Sequence, residues 1–143
     1  MNNILVIGAG RSSSALIDYL CDAAATHNWF ITVADANLEL AKAKVKNHPN
    51  ARAIWLDVSK NNDRKDHLAR TDAVISLLPA HLHLEVAHDC IKFQKPFVTS
   101  SYISREMYRL GDEARDRELV FTGERGLDPG LEHIAAKKRL DDI

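Results

Sequence analysis

The chain has 143 residues, enough for one domain with a sizeable core. Apolar residues make up 45% and charged residues 27%, the mix of a soluble globular protein, and a net charge of -1 gives no broad attraction to nucleic acid or an anionic membrane. The two cysteines, Cys21 and Cys90, lie too far apart to suggest a disulfide framework, and no run approaches the ~20 apolar residues of a membrane span.

The first apolar run, "NILVIG" over 3–8, is short and rich in branched residues, so a buried strand is expected. No secretory signal is expected, because glycines and Arg11 follow at once. Over 12–25, apolar residues at 16, 19, 20, 23 and 24 mark one helix face, and Cys21 falls inside it. "WFITVAD" (Trp29–Asp35) is the second strand. A helix over 37–46 follows, capped by Asn37 and stopped by His48-Pro49-Asn50. The third strand is expected over 51–57. Ser59 is read as the cap of a polar helix to about Ala69, whose "RKDHLAR" run reads as an exposed face. A strand over 72–79, a helix over 81–93 with Leu84, Ala87 and Ile91 inward, and a strand over 96–100 come next. Ser104 is read as the cap of the helix that follows, and a strand over 118–123 closes the series.

Strand and helix alternate throughout. The expected fold is therefore α/β: a Rossmann-type, doubly wound parallel sheet of about six strands with helices on both faces. The order 3-2-1-4-5-6 follows from that class rather than from any residue pattern, and ligands in such sheets sit at the carboxyl ends of the strands. Both cysteines read as small buried apolar residues in a reduced, cytoplasmic setting.

"GAGRSS" (8–13) matches G-x-G-x-x-G with serine in the third place. Gly8 permits a tight turn, Gly10 lets a pyrophosphate approach the backbone, and Ser13 is small enough to pack where the third glycine usually stands. N–H groups opening the next helix then face the phosphates, and hydroxyls of residues 12 to 14 are expected as further donors. Asp35 follows Gly10 by 25 residues, near the usual spacing of about 20. Its carboxylate would accept ribose hydroxyls and repel a 2′-phosphate, which favours NAD(H) over NADP(H). The competing reading is a glycine-rich turn with a capping aspartate and no ligand. Asp57 and Val58 either flank the adenine or form a turn. His81, Glu85 and His88 share one helix face, but a solvated face explains them better than a metal site. No metal is expected.

The elements "ILVIGAGRSSS", "VTSSYIS" and "GERGLDPGLEH", taken together, resemble the saccharopine dehydrogenase (saccharopine reductase) family over essentially the whole chain. The resemblance implies that family's N-terminal NAD(P)-binding domain. It also implies an oxidoreductase of lysine metabolism that joins or splits an amino acid and an aldehyde through an imine C–N bond. By position, it implies that Gly10, Arg11, Ser12 and Ser13 hold the pyrophosphate and Asp35 the ribose. Leu78 is placed beside the cofactor, and Ser100 and Ser101 near the nicotinamide. Leu127, Asp128 and Pro129 lie against the nicotinamide ring. Ser101 and Tyr102 reach the substrate, and Asp128 or Tyr102 moves a proton at the bridging nitrogen; interdomain packing for Tyr102 and a turn role for Asp128 are the alternatives.

In the family a second domain follows the G-L-D-P-G loop and builds much of the substrate pocket. The expectation is that this domain is absent here, so that the chain binds nucleotide without turning over an amino-acid substrate. Arg125, Glu132, Lys137 and Arg139 depart from the family pattern toward polarity. Those departures keep open a non-catalytic nucleotide-binding or scaffold module.

Overall fold

The computed structural model describes residues 2–99, 105–116 and 121–122. Six parallel strands form one sheet in the order β3-β2-β1-β4-β5-β6. They are β1 (Asn2–Ile7), β2 (Trp29–Asp35), β3 (Ala51–Trp55), β4 (Ala73–Ser76), β5 (Phe97–Thr99) and β6 (Phe121–Thr122). The helices are α1 (Ser14–His27), α2 (Leu38–Val45), α3 (Asn61–Ala69), α4 (Ala80–Lys92) and α5 (Arg105–Asp116), with a 3-10 turn, Arg11–Ser13, leading into α1.

Period-two alternation explains why β1 reads as an unbroken apolar run. Ile4 and Val6 enter one core with Leu16, Ile17, Leu20, Cys21 and Ala24 of α1 and Ala41 and Val45 of α2. Leu5 and Ile7 enter a second core with Leu68 of α3, Val86, Ala87, Cys90 and Ile91 of α4, and Leu110 and Ala114 of α5. Both faces of the central strands are thus dry, as in parallel sheets generally. Each fully buried branched side chain contributes roughly 1.5–3 kcal/mol. The two cysteines are unpaired and buried, one in each core.

Local signals set most boundaries. The Asn37 side chain accepts from the N–H groups of Glu39 and Leu40, as its position before the apolar pattern predicts. Helices α1 and α2 end on Asn28 (φ 59) and Lys46 (φ 50), both left-handed. Helix α1 runs two residues past the expected end at 25, and its buried stripe is centred on Ile17, Leu20, Cys21 and Ala24, with Tyr19 and Ala23 only partly buried.

Two expectations are corrected. Ser59 does not cap α3: its N–H and hydroxyl both donate to Asp57 Oδ1, at 3.0 and 2.6 Å, and close a turn before Lys60 takes the cap position without a side-chain bond. Nor is the polar α3 wholly a solvated face. Arg64 is only 5% exposed, because it shares the inward side with Leu68 one helical turn later. The Ser104 cap lies outside the described residues.

Candidate dinucleotide site

The strand order reverses between β1 and β4, and the carboxyl ends of the strands at such a reversal are where sheets of this kind bind ligands. Gly8 leaves β1 at φ +107, a conformation that L side chains rarely adopt. A Cβ on it would stand 3.0 Å from the Leu77 carbonyl carbon and oxygen, so the close approach of the β1 and β4 ends also requires glycine. The Gly8 N–H donates to the Ala34 carbonyl at 2.8 Å, and the Leu77 N–H to Ile7 at 2.8 Å. These bonds pin the loop between β2 and β4.

Gly10 differs. Its φ of -71 suits any residue, and nothing lies within 4 Å of the Cβ it lacks. The chain itself therefore gives no reason for glycine at 10. The open space above the backbone is a cradle that a methyl group would fill, which fits the approach of a pyrophosphate. No side chain caps the 3-10 turn or α1, which leaves the leading amides for an acceptor from outside the chain. Arg11 is exposed at this turn.

Ser13 plays a different part from the one its hydroxyl suggests. It is 1% exposed, and its hydroxyl and N–H donate to the Gly10 carbonyl at 2.6 and 3.1 Å. It packs the helix onto the loop, as the missing third glycine would, and offers no hydroxyl to a phosphate. The Ser14 hydroxyl accepts from Lys44 Nζ and keeps its own O–H to donate.

Asp35 ends β2 half-buried. Its Oδ2 accepts the Ala9 N–H at 2.8 Å and its Oδ1 the Asn37 N–H at 2.7 Å. The carboxylate fastens the glycine loop to the start of α2. It does not cap α2, which is the work of Asn37. Each oxygen keeps further acceptor capacity for a ribose hydroxyl.

Beyond β3, Asp57 forms the turn with Ser59. Those two hydrogen bonds, the hydroxyl first and then the amide, hold its carboxyl below the usual range. Val58 is a core residue, 7% exposed, so only its backbone stands at this edge. Leu78 lies just past β4, partly buried against the α4-side core. Gly8, Gly10, Arg11, Ser12, Ser13, Asp35, Asp57, Val58 and Leu78 thus all fall at or just beyond the carboxyl ends of β1 to β4. Ser100, Ser101, Tyr102, Leu127, Asp128 and Pro129 lie outside the described residues.

The sequence reading missed an ion cluster below the Asp57–Val58 turn. Arg64 Nη1 donates to the Val58 carbonyl at 2.6 Å and to Glu85 Oε2 at 3.0 Å, and Arg64 Nε donates to Asp89 Oδ2. Asp89 is only 7% exposed. The available signal was one cation and one acid placed on apolar helix stripes, Arg64 with Leu68 and Asp89 with Val86 and Cys90. Among the described residues, no group of three or more His, Cys, Asp or Glu side chains is disposed to hold a metal ion. No described helix is long and apolar enough to cross a membrane.

A family model described as the saccharopine dehydrogenase NADP binding domain matches residues 4–121. The saccharopine dehydrogenase (NADP(+), L-glutamate-forming) of Saccharomyces cerevisiae is 36% identical over 99% of this chain and 31% of its own length. The alpha-aminoadipic semialdehyde synthase of Arabidopsis thaliana is 32% identical over 99% of this chain and 15% of its own length. The solved apo saccharopine dehydrogenase (L-Glu forming) from Saccharomyces cerevisiae superposes with a TM-score of 0.79 at 35% identity, over 100% of this chain and 31% of that one. A levoglucosan dehydrogenase in complex with NADH and L-sorbose shares the fold at 19% identity, with a TM-score of 0.65. The chain therefore spans less than a third of these curated relatives.

Proposed function

Because the chain belongs to the saccharopine dehydrogenase family, through its NADP-binding domain, we propose that it holds NAD(H) in preference to NADP(H) and serves an oxidoreductase acting on a C–N bond. Binding of a nicotinamide dinucleotide is the part that family membership establishes. One observation carries the reading from this chain's own atoms. Gly10 is a glycine that the fold does not need, on a loop fastened to Asp35.

The open backbone at Gly10 to Ser12 would receive the pyrophosphate, with Arg11 beside it. Asp35 would accept the adenosine ribose hydroxyls, and the Asp57 turn would border the adenine. The preference for NAD(H) rests on Asp35. Its oxygens are held by two amide donors, Ala9 of the loop and Asn37 before α2, and a 2′-phosphate placed there would meet a fixed carboxylate. The fungal relatives carry NADP(+) in their names, so the two cofactors must be titrated side by side. Calorimetry should give NADH binding at least ~10-fold tighter than NADPH, a difference of about 1.4 kcal/mol. Equal or tighter NADPH binding overturns the preference. Failure of both to bind overturns the site.

A bound nicotinamide supplies hydride transfer to or from a carbon bonded to nitrogen. The chain's own residues bind and orient it, and the complete reaction calls on Tyr102 and Asp128 at the substrate nitrogen. In an enzyme that also holds the substrate-binding region, Asp128→Asn should lower kcat by roughly 100-fold, the scale of a lost general acid or base. Unchanged turnover would remove Asp128 from that role. Without that region the chain is expected to bind dinucleotide and to leave saccharopine uncleaved.

A further inference from the structure

The amino-terminal ends of β1 to β3 lie opposite the glycine loop. There a cavity of about 300 Å³ opens between the sheet and the end of α3, and its lining includes Leu5, Phe30, Thr32, Arg52, His67 and Arg70. Thr32 precedes Asp35 by three residues, so the cavity sits roughly 10 Å down the strand from the proposed ribose site. Three of its side chains are basic, and no described carboxylate lines it; the nearby Asp72 carboxylate accepts the N–H of the lining Asn3 at 2.6 Å.

The two arginines that line the cavity are exposed to solvent, and neither meets an acid among the described residues. Arg52 Nε donates to Thr32 Oγ1 at 3.2 Å, and its guanidinium lies over the Phe30 ring, 6.0 Å from the centroid. Those contacts hold the fork and leave its terminal nitrogens free. Neither Arg52 nor Arg70 makes an ion pair among the described residues. His67 feels both of them. Burial, then Arg52 and Arg70, pushes its imidazole below the ordinary range, while Asp63 and Asp66 on its own helix oppose that shift only in part. Two guanidiniums converging on one cavity, beside an imidazole that they hold toward its neutral form, repel one another unless an anion enters.

We propose that this cavity is a binding site for a small multivalent oxyanion, phosphate or carboxylate, held by the Arg52 and Arg70 guanidiniums with His67 as a third donor. The arginine fork matches either group with paired N–H···O bonds. Thr32 and Phe30 preorient Arg52, so less side-chain freedom is lost on binding. An entering anion favours the imidazolium, so binding tightens as pH falls through the His67 titration. The site stands apart from the proposed dinucleotide site and does not depend on it.

The test is a proton NMR titration of the His67 ring in the full chain, at constant ionic strength, with inorganic phosphate in one series and citrate in another. Saturable upward movement of the His67 pKa with either anion supports the site. Response to phosphate alone assigns a phosphate ligand, and response to citrate alone a carboxylate. Arg52→Gln and Arg70→Gln should each weaken the effect by at least ~10-fold while leaving NADH affinity unchanged. A His67 titration unmoved by both anions, or moved equally in both variants, overturns the proposal. The wild-type series is decisive even if a variant fails to fold, and NADH affinity, measured separately, reports only on the dinucleotide site.

Discussion

Gly8 and Gly10 stand two residues apart and are glycines for different reasons. Gly8 answers to the fold: its φ is +107 and the Leu77 carbonyl is 3.0 Å from where a Cβ would be. Gly10 answers to something outside the chain, since a Cβ there meets nothing within 4 Å. Substitution separates the two roles. Gly8→Ala should destabilise the chain by about 1–3 kcal/mol through backbone strain alone, with the clash adding to it. Gly10→Ala should keep urea stability within ~1 kcal/mol of the parent and lose dinucleotide affinity. A Gly10→Ala variant that binds as the parent does would show that the open cradle is not the phosphate site. The glycine spacing and the two roles were legible in the sequence; the Leu77 carbonyl against Gly8 and the open space at Gly10 were not, because they depend on what the fold brings opposite the loop. Asp35 is similar. Its place at the end of β2 could be read from the string, but its two amide bonds to Ala9 and Asn37 are made only when strand and loop meet.

At the scale of the element, α3 is where pattern reading failed. Its "NNDRKDHLA" string has almost no apolar residues and looks like a solvated helix, yet Arg64 and Leu68 are both buried against α4. A periodicity scan counts an arginine as polar and outward. Nothing in the α3 string reveals that α4 brings Asp89 and Glu85 to meet it, or that the Val58 carbonyl needs a donor. The cluster couples the Asp57–Val58 turn to α4. Arg64→Met strands the buried Asp89 carboxylate and should cost about 3–5 kcal/mol in urea unfolding. The double variant Arg64→Met with Asp89→Leu should recover much of that loss, because no uncompensated charge remains. If the single and double variants are equally destabilised, the cluster acts through shape and not through charge.

For the molecule as a whole, the sheet joins two cores that share no helix. Cys21 reports on the α1–α2 side and Cys90 on the α4 side. Burial, with Asp18 and Asp22 adding to it, pushes the Cys21 thiol up to about 11, and burial pushes Cys90 higher still. Both should resist alkylation near neutral pH until the chain opens. Because β1 alternates between the cores residue by residue, neither can empty while the other stays packed. Mass spectrometry after pulsed alkylation should therefore find both thiols exposed at one urea concentration, and saturating NADH at 100 Kd should raise stability at both by about 2.7 kcal/mol. Two separate transitions would mean that the layers unfold independently.

The sequence by itself determined the alternation of strands and helices, the two-faced burial of the central strands, the Asn37 cap, and the glycine loop with its following acid. Each of these depends on residues within a few positions of one another, where backbone sterics and apolar period dominate. The family likeness was legible on the same terms, through three short elements. Only the tertiary structure decided what each glycine faces, that Ser13 faces inward, that Ser59 closes a turn instead of capping a helix, and that Arg64 is buried. The physical reason is that a polar side chain goes where its hydrogen bonds can be completed, by a near neighbour for Ser13 and Ser59 and by the distant helix α4 for Arg64, while a glycine's surroundings are set by whatever the fold brings against it.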